Sequence, residues 1–470
     1  MSGYRVHRNS QRINDKAPVN FRFDGKQLKG FAGDTLASAL IANGVRLIGR
    51  SFKYGRPRGI VGHGSEEPNA LIQLETGGYT VPDLKATQVE LYDGLTATTT
   101  TGFPSLHFDL KGLAGTFSRF MPPGFYYKTF MGPVKAWPLY EKIIRKAAGY
   151  GRAPVEADPE FYDHLHHHVD VLVVGGGACG LWAATLAGRA GLKTLLVEEQ
   201  SEAGGWMLSD ASAQIDGKPA MKWVNERLAE LDSLSNVTVL TRTTAFAHHE
   251  QNLVQALELV QDHLPIAARD RHTPRQRLHK IRAHHMVLAT GSIERPLVYG
   301  NNDRPGVMTA AAAQTYLNRY GVAVGRKVLL MTHNDAAYDA ARDLAQAGSR
   351  VTLIDTRLRG AADWRQQEAK SAGVELMLGY GIAEVHGKTS VSGARLVQLD
   401  PFTNTVRARG PRLSADSVLS SGGLTSTVHL FCHNNGRPYW NENSLSFVVP
   451  DEGRQGISCA GSITGRWELG

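Results

Sequence analysis

Cysteine is nearly absent from this chain: Cys179, Cys432 and Cys459 are the three among 470 residues. They lie far apart and form no CxxC. That excludes a disulfide framework, a Cys-rich zinc site and a Cys-ligated iron–sulfur cluster. A reducing cytoplasm is the expected compartment. No run of eighteen apolar residues occurs, so no membrane span is expected. The N-terminus, MSGYRVHRNSQRI, lacks the apolar core of a secretory signal and carries only a faint transit-peptide character. The net charge of +8 is spread without a long basic block. A solvated surface, with an anionic ligand or acidic partner, is therefore expected in preference to nucleic acid. HExxH, GxSxG and GxxxxGK[ST] are all missing. No catalytic residue can be singled out. The run His164-x-His166-His167-His168 has no well-spaced carboxylates near it, so it is read as a polar approach to a strand and no metal site is assigned.

What is present is globular. Apolar residues make up 42% and charged residues 20%, and the length suits about three domains. Residues 1–18 read as an N-terminal arm. Residues 19–100 carry a hairpin with Asp24-Gly25 at its turn, Asp34 as expected N-cap of an Ala/Leu helix, Gly44 as its stop, and two strand-like segments, NALIQLE and TQVELYD. This is a β-grasp, ferredoxin-like pattern. Residues 101–165 are an aromatic-rich connector without regular periodicity, suited to packing within the chain or against a partner.

The strongest signal is DVLVVGGGACGLWAATLAGRAGLKTLLVE, from Asp170 to Glu198. A strand enters Gly175-x-Gly177-x-x-Gly180, a helix follows, and a second strand ends on Glu198. The glycines permit a tight turn, close approach of a pyrophosphate, and close helix–strand packing. The helix N-terminus faces the phosphates and the acid suits a ribose. Gly204-Gly205-Trp206 follows in a loop, and Ala289-Thr290-Gly291 marks the exit from this domain, 166–304 with 421–470.

A second βαβ runs from Lys327 to Asp355 within residues 305–420. Its acid falls at the same spacing, but Thr332, Asn334 and Ala337 stand where glycines would. It reads as a nucleotide-domain scaffold with a lost or altered site. Ala460-Gly461 near the end has the pattern of a return to the first domain, after which a closing helix is expected. Its absence before Gly470 favours the front part of a longer protein.

The order of these parts, with SFKYGRPRGIVGHGSEEPNAL, PPGFYYKTFM and DVLVVGGGACGL, resembles the alpha subunit of heterotetrameric sarcosine oxidase. The folate-binding, aminomethyltransferase-like half of that family is missing here. The resemblance implies an α/β fold with a two-dinucleotide-binding (glutathione-reductase-like) region after a β-grasp domain without cluster cysteines, since Gly62, Gly64, Ser65 and Glu66 occupy that loop. It implies NAD on this chain, with FAD as the alternative, and FAD and FMN on a partner beta subunit, beside smaller gamma and delta subunits. The family oxidises sarcosine with oxygen and tetrahydrofolate, giving glycine, hydrogen peroxide and methylene-tetrahydrofolate. Carried over, Gly175, Gly177 and Gly180 hold the pyrophosphate, with Cys179 where the family often has Ala. Glu198 and Glu199 flank the ribose. Trp206, after Gly204 and Gly205, and Ala245 lie on the adenine side, and Gly461 approaches from the return segment. The alternatives are an FAD- or ATP-binding subunit of a related amine, opine or proline dehydrogenase, and a truncated non-catalytic scaffold.

Overall fold

The computed structural model describes residues 4–52, 54–102, 105–109, 136–400, 402–403, 405–450 and 456–467. The chain divides into two compact units, Met1–Pro159 with Pro296–Ser421, and Glu160–Arg295 with Gly422–Gly470. Among the described residues no helix is long and apolar enough to cross a membrane.

The first unit holds the β-grasp sheet. Its five strands run in the order Lys26–Ala32, Asn14–Phe23, Thr96–Thr99, Leu71–Leu74, Val81–Lys85. The central pair, Asn14–Phe23 and Thr96–Thr99, is parallel, and Phe21, Phe23 and Ile72 are buried beneath the helix Leu36–Ala42. Asp24 and Gly25 both take positive φ, as a tight hairpin turn requires.

Four details differ from the sequence reading. The first strand begins at Asn14, inside the expected arm, and Arg5 is tied down by Asp34 and the Tyr320 carbonyl. The helix is capped by Thr35 in a capping box with Ser38. Asp34 serves instead as a buried acceptor for Arg5, Ser38 and the Phe31 N–H. Residues 87–93 form no strand, because the carbonyls of Ala86 and Val89 accept the N–H groups of Ala37 and Leu36 at the helix start. The connector contains one helix, Trp137–Ala148; its segment around PPGFYYKTFM lies outside the described residues.

The same unit contains a five-stranded parallel sheet in the order Val307–Thr309, Ser417–Ser421, Lys327–Thr332, Arg350–Asp355, Glu375–Leu378. Its helices Ala310–Tyr320 and Ala336–Gln346 share one apolar core with the β-grasp strands, through Phe21, Leu40, Tyr316 and Leu330.

The second unit is built on a seven-stranded sheet. Val237–Leu240, Thr194–Val197, Tyr162–Val174 and Gln276–Leu288 are neighbours in that order and pair in parallel. Ile457–Cys459 also pairs with Gln276–Leu288. This is a doubly wound half, and its strand order reverses direction beside Tyr162–Val174, where such sheets leave a crevice at the carboxyl ends. After Gly461 the described chain forms a short 3-10 turn, Gly461–Thr464.

Candidate functional site

The strand Tyr162–Val174 delivers the chain to Gly175, whose φ of 104° no ordinary L-residue adopts comfortably. A Cβ at Gly175 would strike the Ala289 carbonyl oxygen, and one at Gly180 would land on the Gly175 carbonyl oxygen. Those two glycines are therefore demanded by packing. Gly177 is different: a side chain there would meet nothing within 4 Å. It is the N-cap of the helix Ala178–Arg189, and no side chain caps that end. The turn thus presents uncapped N–H groups, a positive dipole end and open space together, the requirements of an anionic pyrophosphate.

Glu198 closes the turn from behind. One carboxylate oxygen accepts the Gly176 N–H at 2.6 Å and the other accepts the Gln200 N–H at 2.9 Å. A charge-assisted bond of this length holds the carboxylate at the strand end while leaving lone pairs for a diol. Glu199 is exposed. Gly204 donates its N–H to the Gly176 carbonyl at 2.9 Å, and a Cβ at Gly205 would lie 3.1 Å from the Gly177 Cα. The two glycine turns are in backbone contact, which explains why the second one is also Gly-Gly. Trp206 follows, about a third exposed, with its carbonyl accepting the N–H groups of Ser209 and Asp210. Ala245 sits on the strand Thr243–His249, whose first residue donates its N–H to the Glu198 carbonyl. Gly461 has a φ of 80°, and a Cβ there would come 2.9 Å from the Cys179 Sγ. The return segment therefore rests on the first turn of the same helix. Burial pushes the Cys179 thiol above its ordinary value and that of Cys459 up to about 11. Both are held as thiols and are poor nucleophiles.

Sequence reasoning missed Gly176 and Gln200. Both act through backbone N–H groups, so their side-chain identity carries no signal. Thr290, in the ATG motif, donates its hydroxyl to the Thr427 carbonyl at 2.7 Å, a link across 137 residues. In the histidine run, His164, His166 and His168 are exposed on the strand Tyr162–Val174. His167 Nε2 lies 2.8 Å from His279 Nδ1, and His279 Nε2 lies 3.0 Å from a Glu258 carboxylate oxygen. Desolvation, then the His279 ring, lowers the His167 pKa. No group suited to hold a metal occurs among the described residues.

The second βαβ has the same frame and a different interior. Asn334 donates its side-chain amide to the Ser421 carbonyl at 3.1 Å and to the Ser421 hydroxyl at 3.0 Å. Its own N–H goes to the Thr332 hydroxyl at 3.0 Å. Asp355, wholly buried, is held by Arg357 Nη2 at 2.8 Å and by the Tyr338 hydroxyl at 2.9 Å. Arg357 also reaches Asp335 at 2.8 Å. Polar side chains of the chain itself fill the turn.

Residues 169–469 match the pyridine nucleotide-disulphide oxidoreductase family model, and residues 16–102 match a 2Fe-2S iron-sulfur cluster binding domain. The chain is 44% identical over 468 residues to the alpha subunit of a sarcosine oxidase from Rhizobium meliloti (strain 1021), covering 98% of this chain and 45% of that protein. The alpha subunit of a sarcosine oxidase from Corynebacterium sp. (strain P-1) is 36% identical over 447 residues, covering 95% of this chain and 41% of that protein. The chain thus spans less than half the length of these relatives. In fold it is similar to L-proline dehydrogenase from P. horikoshii, with a TM-score of 0.62 at 20% identity over 99% of this chain and 71% of that one.

Proposed function

The chain belongs to the pyridine nucleotide-disulphide oxidoreductase family, and from that premise we propose that it is the NAD-binding portion of a sarcosine oxidase alpha subunit. The observation that carries the binding site is the open, uncapped turn at Gly177. In this reading Gly175, Gly177, Cys179 and Gly180 form the pyrophosphate cradle, and Glu198, with Glu199 beside it, accepts the ribose hydroxyls. Gly204 and Gly205 give the cofactor backbone clearance, Trp206 and Ala245 flank the adenine, and Gly461 closes the cradle from the return segment. A bound nicotinamide dinucleotide supplies a hydride carrier. The thiol nearest this turn, Cys179, is raised in pKa, so the chain's own residues are assigned binding and orientation, and the cofactor an architectural role.

For the whole assembly we propose oxidation of sarcosine with oxygen and tetrahydrofolate to glycine, hydrogen peroxide and methylene-tetrahydrofolate. The amine chemistry is assigned to a beta subunit carrying FAD and FMN, with gamma and delta subunits completing a cytoplasmic heterotetramer. The similarity to one of the two chains named for an opine oxidase of Agrobacterium tumefaciens (strain Ach5), 27% identical over 323 residues, favours a second reading in which the same cradle holds FAD. Acid release of the cofactor from the purified complex, followed by chromatography, separates the two. NAD with a co-purifying flavinylated partner is the expected result; FAD released from this chain supports the second reading, and no dinucleotide at all overturns both.

A further inference from the structure

The match over residues 16–102 implies an iron–sulfur cluster in the β-grasp domain, and the residues present do not fit one. The chain's three cysteines all lie beyond residue 178, and thiolates are the ligands such clusters need. The loop 61–70 is nevertheless shaped around negative charge. One Glu67 oxygen accepts the N–H groups of Val61 and Gly62, each at 2.7 Å, and the other accepts those of Asn69 at 2.7 Å and Ala70 at 3.1 Å. Glu67 is 1% exposed. A Glu66 oxygen accepts the N–H groups of His63 at 2.7 Å and Gly64 at 3.1 Å, and lies 3.2 Å from the His63 ring nitrogen.

Two glycines show where this anion sits. A Cβ at Gly62 would come 2.5 Å from a Glu66 carboxylate oxygen, and one at Gly64 would come 2.8 Å from the other. Side chains projecting from positions 62 and 64 and the Glu66 carboxylate therefore compete for the same space. Six backbone donors converging on two carboxylates make a nest of the kind that binds anions. Here the anion is covalently part of the chain.

We propose that Glu66 and Glu67 are a resident anion standing in for an iron–sulfur cluster, organising the loop 61–70 permanently and closing it to metal. The loop so fixed is keyed to the parallel-sheet domain of the same unit. The Val61 carbonyl accepts the Thr309 N–H at 3.0 Å, and the Gly62 carbonyl accepts the buried Tyr316 hydroxyl at 2.9 Å. The β-grasp domain is then a fixed structural block with no one-electron centre. This goes beyond the dinucleotide reading and holds whichever cofactor the Gly177 turn takes.

The test uses the full chain and amide hydrogen exchange of peptides spanning 61–70. Glu67→Gln keeps the shape but removes the charge and one acceptor, and is expected to speed exchange at least about tenfold, the equivalent of about 1.4 kcal/mol. Glu67→Ala is expected to do the same, with protection restored by added formate and not by formamide. Native-like protection in Glu67→Gln, or equal rescue by formamide, overturns the anion role; should Glu67→Ala fail to fold, the Gln variant decides alone. Anaerobic incubation of the native chain with ferrous iron and sulfide is expected to leave no cluster absorbance, and its appearance overturns the proposal.

Discussion

The turns at Gly177 and Asn334 begin from the same frame, a buried strand, a tight connection, a helix, and a second strand ending on an acid. At Gly177 the space before the helix is open, and Glu198 braces the turn through backbone N–H groups. At Asn334 the corresponding space is taken by side chains, with Asp355 committed to Arg357 and Tyr338. The difference is one of satisfaction. A turn whose donors lack internal partners is ready for an anion, and a turn that meets its own polar needs is ready for none. A frame can outlive its ligand when packing and internal polar pairs replace what the ligand supplied. The loop at Glu66 and Glu67 follows the same logic in the β-grasp domain.

The comparison breaks most sharply at the third position of each turn. Gly180→Val drives a side chain into the Gly175 carbonyl and is expected to cost about 3 kcal/mol, the upper end for overpacking. Ala337→Gly, at the equivalent place on a buried helix face, is expected to cost only about 1 kcal/mol through helix propensity. Thermal unfolding of the full chain reads both. Comparable losses would show that the two helices pack on their turns alike.

Asp355→Asn tests whether the filled turn is sealed by charge. The carboxylate is buried and its arginine is about one-third exposed, so solvent screening reduces the loss from the full cost of breaking a buried pair to about 2 kcal/mol. Denaturant unfolding should register that loss while the dinucleotide content of the protein stays unchanged. A drop in bound cofactor would show that the second turn participates in binding after all.

Much of the open turn was legible because its requirements are local. Gly175, Gly177, Gly180 and Glu198 are fixed by the geometry of one strand–turn–helix, and the glycines at 204 and 205 follow in the next loop. The interior of the filled turn was not legible beyond its missing glycines. Asn334 finds Ser421 across 87 residues, and no local pattern announces such a partner. The helix cap failed for the same reason. Asp34 and Thr35 are both good capping residues, and the choice was made by Arg5, 29 residues away. Residues 87–93 had a strand's composition, but the helix start claimed carbonyls at and beside them.

A finer probe separates binding from folding at the second glycine. Gly177 has an ordinary φ of −74° and open space at its Cβ. Gly177→Ala should cost less than about 1 kcal/mol of stability, the scale of an N-cap change, yet weaken NAD binding at least about tenfold, or 1.4 kcal/mol. Calorimetric titration with NAD measures the second quantity. Asn334→Gly is the mirror experiment, and it should gain no affinity, because the Arg357–Asp335 pair remains.

The smallest expected effect lies in the alkaline range and belongs to the filled turn alone. Burial is the main reason that the Tyr338 phenol is pushed up to about 12; the Ala361 N–H opposes the shift, and the Asp355 charge adds to it. An unfolded tyrosine titrates near about 10, so the fold favours the neutral phenol. The stability this supplies is complete below about pH 10 and is lost as pH rises from about 10 to about 12. Tyr338→Phe removes the hydrogen bond to Asp355 and should be less stable near pH 8 by about 1 kcal/mol. It also lacks the titrating group, so its stability should fall less steeply, and the two curves should converge toward pH 12. Denaturant midpoints measured from pH 8 to 12 on both proteins decide the point. Curves that stay parallel would mean that Asp355 takes no bond from Tyr338 in solution, and the closure of the second turn would then rest on Arg357 alone.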